Sequence, residues 1–323
     1  MVTELTKIKI MLILGVMAVL FGVWGWSWVR PADGYEGMTV VLNGKSGVVI
    51  LSALGLGLIG VLVGVLFGRR HGIQMGMLAI PAGLTVWAVL SGNMERMLLE
   101  YSGAEARQGL FLKLMVDAVI WSALVGVGCV FTWLLGGAHR TAAITNPNPE
   151  GPLVTETASK TSKQNKLRFE FPDNVWLKGL LGAVITCVTA WLLVRILGQA
   201  RQVSLSYPVT DEASIVPATG QIIFAVAVGF YLAALIVHQL TEVSLWWLLP
   251  CPLAISLAAY GLGVHNGVLE TLNGSGPAFV PKSIVFATIL PIQYIGVGTM
   301  ALMGGYYYSV GMTAHRASRQ GRD

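Results

Sequence analysis

Eight apolar runs constrain this chain more than any other feature. They lie at 10–29, 47–68, 73–90, 110–135, 175–197, 220–240, 245–264 and 283–310. A bilayer core about 30 Å thick needs roughly 20 apolar residues in a helix that rises about 1.5 Å per residue. Every run meets that length or comes close to it. Backbone polar groups in lipid must be satisfied within the segment, so the runs read as helices. Composition agrees: 11% of the 323 residues are charged and 54% are hydrophobic, against about 25% charged in soluble domains. The expected fold is an all-α polytopic membrane protein with eight transmembrane helices.

The first run is too long for a signal-peptide core and ends in Trp24, Trp26 and Trp28. It reads as an uncleaved span whose tryptophans sit at the membrane–water interface. Trp176, Trp246, Trp247 and the Tyr306–Tyr308 triplet read as belt residues for the same reason. The segment 94–100 reads as a short interfacial helix with Met97, Leu98 and Leu99 toward the membrane.

An internal repeat organises the runs. Gly47 opens the second run and Gly220 the sixth, 173 positions later, and Ser102-Gly103 and Ser275-Gly276 keep the same offset. Self-similarity of this kind marks repeated architecture. Two four-helix halves are expected, at 1–136 and 175–312. They are joined by a cytoplasmic linker at 137–174 and followed by a basic cytoplasmic tail at 313–323. The linker holds Asn146-Pro147-Asn148-Pro149 and a Thr/Ser/Lys tract, too polar to offset the entropy of ordering, and is expected to be mobile. An even number of spans per half gives both halves one orientation, so the repeat is parallel.

Lys and Arg set the topology. The N-terminus, the 69–72 turn, the linker with Lys178, and the tail carry 13 of the 21 basic residues. The positive-inside rule then places both termini in the cytoplasm, in a bacterial inner membrane. The net charge of +5 does not indicate nucleic acid, because the basic residues are scattered over helix ends and tails. The cysteines, Cys129, Cys187 and Cys251, all lie in apolar runs without metal spacing and read as small buried hydrophobes.

The sharpest polar candidates are Lys113 and Asp117, four apart on one helical face of the fourth run. Ionisable residues inside a membrane are functional hypotheses by default. An ion or proton relay would also use Glu100. The plainer reading is an i,i+4 ion pair at the interface with Lys113 snorkelling outward. The second half has no equivalent pair, since Leu290 falls opposite Asp117. His238 and Glu242 are also four apart, at the end of the sixth run, and read as a polar helix end; two ligands are too few for a metal. Pro81, Pro250, Pro252 and Pro291 break the runs, as a substrate site requires, yet are also common in ordinary membrane helices.

No P-loop, H-E-x-x-H, G-x-S-x-G or dinucleotide fingerprint stands in a suitable context, so a membrane-embedded enzyme is the least favoured of three readings and no cofactor is expected. The nearly charge-free spans favour a non-catalytic membrane subunit or scaffold. Its partners are the lipid bilayer and other membrane protein subunits. The alternative is a secondary transporter or channel for a small solute, with its path between the halves.

Overall fold

A computed structural model describes residues 4–31, 37–68, 72–101, 104–145, 175–198, 217–265 and 286–320. All its regular elements are helical. Helix α1 covers 4–29: Glu4–Met17, a wider π-helical stretch Ala18–Gly25, and a last turn Trp26–Val29. Then follow α2 (Ser46–Gly68), α3 (Gly72–Leu90), the short α4 (Glu95–Glu100) and α5 (Ala104–Thr145). The second half supplies α6 (Val175–Leu197), α7 (Thr219–Thr241), the single turn α8 (Leu245–Leu248) and α9 (Cys251–His265). Helix α10 runs over 291–320 and contains a π stretch at Gln293–Val297. Among the described residues seven helical spans are long and apolar enough to cross a membrane, α8 and α9 forming one of them. The protein is therefore a multi-pass helical membrane protein.

Helix α3 lies at the centre, with 61% of its apolar window buried, the highest share among these seven spans. It packs on α1, α2, α5 and the π stretch of α10. Small residues make those approaches possible. A Cβ at Gly83 would strike the Phe21 ring, one at Gly64 the backbone of Gly76, and one at Gly296 the Leu84 backbone. Membrane helices lack a hydrophobic drive toward one another and gain from such close packing instead. Trp87 of α3 fills the space beside α1, its ring 4.7 Å from that of Phe21. Its Nε1 donates to the Phe21 carbonyl at 2.8 Å, inside the π stretch.

The second-half helices do not simply copy this arrangement. Helix α7 packs along α6 and α10, whereas α2 packs mainly along α3. Helix α9 lies on α5, and the start of α10 lies on α3, so the two halves of the chain interleave. Helices α2 and α7 are each 23 residues long and start 173 positions apart.

Three local expectations change. In the short helix α4, Met97 and Leu98 are buried in the core and do not face the membrane, while the side chain of Leu99 lies outside the described residues. Helix α5 continues to Thr145, nine residues into the expected linker. The last long helix begins at Pro291, after a 3₁₀ turn at 286–288, instead of running through from 283. Proline suits a first helical position because its missing N–H would be unpaired there anyway. The Ser-Gly turns at 102–103 and 275–276, Lys282, the linker residues 146–174 and the tail's end at 321–323 lie outside the described residues.

Candidate functional site

Among the described residues, a buried polar cluster forms where the loop after α1 meets α5, α9 and the start of α10. Asp117 on α5 is fully buried. Its Oδ1 accepts the backbone N–H of Val40 at 2.6 Å and that of Val41 at 3.1 Å. Its Oδ2 accepts from Trp121 Nε1 at 2.9 Å. Trp121 lies one turn further along α5, and helical side chains lean toward the N-terminus, which carries its indole back over Asp117. The carboxylate thus pins the loop to the helix through three donors. Ser46 Oγ closes the same loop by donating to the Val40 carbonyl at 2.7 Å.

Two tyrosines complete the cluster. Tyr260 of α9 donates to the Ile289 carbonyl at 2.5 Å and Tyr294 of α10 to the Phe286 carbonyl at 2.8 Å. Both serve the non-helical backbone just before Pro291, where carbonyls would otherwise lie unpaired in an apolar surround. Their rings stand 6.4 Å apart, edge to face, and Phe111 stacks on Tyr260 at 6.3 Å. Asp117 is an electrostatic neighbour of Tyr260. Gln293, also fully buried, accepts the Leu290 N–H at 3.0 Å through Oε1. This is half of a capping box: a Gln at the third helical position reaching back to the residue that precedes the helix. Its Nε2 is buried with no hydrogen-bond partner among the described residues.

Of the sequence candidates, only Asp117 belongs to this cluster. Lys113 is exposed, with its ammonium 5.6 Å from the centre of the Tyr101 ring, so it and Asp117 have different partners. Glu100 is exposed at the end of α4. Arg107, not singled out as a candidate, is fully buried and donates to the carbonyls of Leu98 at 3.2 Å and Tyr101 at 3.0 Å. A cation suits the carbonyl end of a helix, here α4.

His238 and Glu242 sit elsewhere, at the far end of α7. His238 Nδ1 lies 2.8 Å from Ser309 Oγ, and the ring packs edge-on to Tyr306 at 4.7 Å. Gln239 Nε2 donates to the same hydroxyl at 2.7 Å. Glu242 is exposed, caps α7 with a left-handed backbone (φ 53°), and donates its N–H to the His238 carbonyl at 3.1 Å. These contacts join α7 to α10.

Two of the grooves on the helical surface are lined by described residues. One, of about 550 Å³, follows the α7–α10 seam, and its only hydroxyl-bearing residues are Thr85 and Tyr231. Thr85 spends its hydroxyl on the Pro81 carbonyl at 2.8 Å. The other, of about 310 Å³, lies between α5 and the α8–α9 corner and is bordered by Ser122 and Thr299 among apolar neighbours.

Sequence reasoning passed over Tyr260, Tyr294 and Gln293. The tyrosines carry no pattern that sets them apart from other apolar-run aromatics. Gln293 does, because Leu290-Pro291-Ile292-Gln293 is a helix-start signature. The chain matches no known family model, no curated protein and no solved structure.

Proposed function

We propose that this chain is a non-catalytic integral membrane subunit, a scaffold that packs against partner membrane proteins. The supporting observation is how its buried polar groups are used. Asp117, Arg107, Tyr260 and Tyr294 all bond backbone groups of this chain and hold loops and helix ends in place. That is the work of a rigid frame. The two surface grooves are apolar for most of their lining, which suits lipid or protein contact more than passage of a polar solute. Helix α6 has only 22% of its apolar window buried, leaving a broad face for the bilayer or another subunit.

In this reading the segment 291–310 makes an eighth span. The chain then consists of two parallel four-helix halves with both termini in the cytoplasm of a bacterium. The equal lengths and the 173-residue offset of α2 and α7 support the repeat. Extraction of the tagged chain from its native membrane in mild detergent, followed by native mass spectrometry, tests the proposal. The expected result is a complex with stoichiometric membrane partners. A chain that runs at its own mass, or as a homo-oligomer, overturns it.

One observation favours the alternative, a transporter. The break before Pro291 and the unpartnered Gln293 Nε2 resemble the interrupted helices that line solute sites. Solute flux in proteoliposomes that disappears on Gln293→Leu would establish that reading.

A further inference from the structure

Two cysteines read from the sequence as inert fillers meet in the fold. Cys187 on α6 and Cys251 at the start of α9 lie on neighbouring helices. Cys251 Sγ donates to the Ala183 carbonyl at 3.6 Å, one turn before Cys187 on α6, which sets the two residues side by side across the seam. Neither is in a disulfide. The helices are held together around the pair: Gly179 faces the Trp247 ring and Gly182 the Val243 side chain, both too close to admit a Cβ without a shift. The two residues are therefore held as neighbours by packing, and covalent closure requires their sulfurs to approach to about 2.05 Å.

Access is one-sided. Cys251 is buried, while Cys187 is half-buried and flanked on α6 by Val184 and Val188, which are 50% and 53% exposed on the outer face of the bundle. A reagent that reaches Cys187 arrives through lipid.

We propose that Cys187 and Cys251 are a redox-active dithiol that closes to an interhelical disulfide when a lipid-soluble quinone accepts its electrons. Both S–H bonds break and one S–S bond forms. The two electrons and two protons pass to the quinone, which leaves as the quinol. The product staples α6, the span with the smallest buried share, to α9. The inference does not depend on the scaffold reading, because its test involves no partner.

The test uses the full chain in lipid nanodiscs, reduced, freed of reductant, kept anaerobic and exposed to decylubiquinone. Unfolding and alkylation with N-ethylmaleimide then count free thiols by intact mass. The expected result is one adduct per chain instead of three, a linked peptide joining 187 to 251, and one quinone consumed per chain. Cys187→Ala should consume none. Three adducts after quinone treatment, or a disulfide that involves Cys129 or joins two chains, overturns the proposal.

Discussion

Asp117 accepts the backbone N–H of Val40 at 2.6 Å, tying α5 to the loop after α1 across 77 positions of sequence. The same carboxylate holds Val41 and Trp121. In an apolar interior an acceptor with three donors is a structural clasp, and losing it strands all three donors at once.

Asp117→Ala should therefore be the more damaging change and Asp117→Asn the milder one. Each buried donor left unpaired costs about 1–3 kcal/mol, less whatever solvation the site regains. A loss of about 3 kcal/mol is expected for alanine. Asparagine keeps one carbonyl oxygen for the loop but presents either an amide N–H to the Trp121 N–H or the reverse, so about half that loss is expected. Thermal unfolding in detergent, followed by tryptophan fluorescence, ranks the two. Trypsin cleavage after Lys45 should speed up in the alanine variant, since the loop is released. An alanine variant within about 0.5 kcal/mol of the parent would remove the clasp from the account.

The separation of Lys113 from Asp117 can be measured directly. A double-mutant cycle with Lys113→Ala and Asp117→Ala should give a coupling energy below about 0.5 kcal/mol, the level expected of independent sites. Lys113→Ala alone should cost under about 1 kcal/mol, the worth of an exposed cation over an aromatic ring. A coupling above 1 kcal/mol would restore the ion pair that the spacing suggests.

That contrast marks what the sequence can show. Length and apolarity place α2 at 47–68 against an observed Ser46–Gly68, and α6 at 175–197, as observed. Those properties belong to each segment alone, and lipid leaves the backbone no other choice. The partners of Asp117 depend on which loop the fold brings to α5. The i,i+4 spacing pointed to Lys113, four residues before, and passed over Trp121, four residues after. Burial decides: Asp117 and Trp121 are fully buried while Lys113 is exposed, so the indole N–H must find its acceptor inside the protein. The burial of Met97 and Leu98 of α4 in the core is likewise a tertiary outcome. The Pro291–Gln293 helix start, by contrast, was fully present in local sequence.

The α7–α10 seam supplies a sharp paired test at adjacent glycines. A Cβ at Gly305 would meet the carbonyl of Tyr231, which cannot move without shifting α7. A Cβ at Gly304 would meet only the Tyr231 ring, at an ordinary 3.7 Å. Gly305→Ala should destabilise by about 1–3 kcal/mol, the usual cost of overpacking. Gly304→Ala should be neutral or stabilising by up to about 1 kcal/mol, through helix propensity. Thermal midpoints of the two variants in one detergent provide the comparison, and equal midpoints would mean that the seam is looser than the structure shows.

Gln293 separates the two functional readings. Its Oε1 caps the Leu290 N–H, while its Nε2 is buried without a partner among the described residues. Gln293→Leu strands the buried Leu290 N–H, which costs about 1–3 kcal/mol, and removes an unpaired donor whose cost is about the same, so the two effects largely offset. The thermal midpoint should move little, and in either direction. A frame that binds partners should keep them through this change, because the residue faces the interior of the bundle. Native mass spectrometry of the variant should then show the same complex at the same yield as the parent. If the variant is as stable as the parent but loses solute flux in proteoliposomes, Gln293 Nε2 serves a solute and the chain is a transporter.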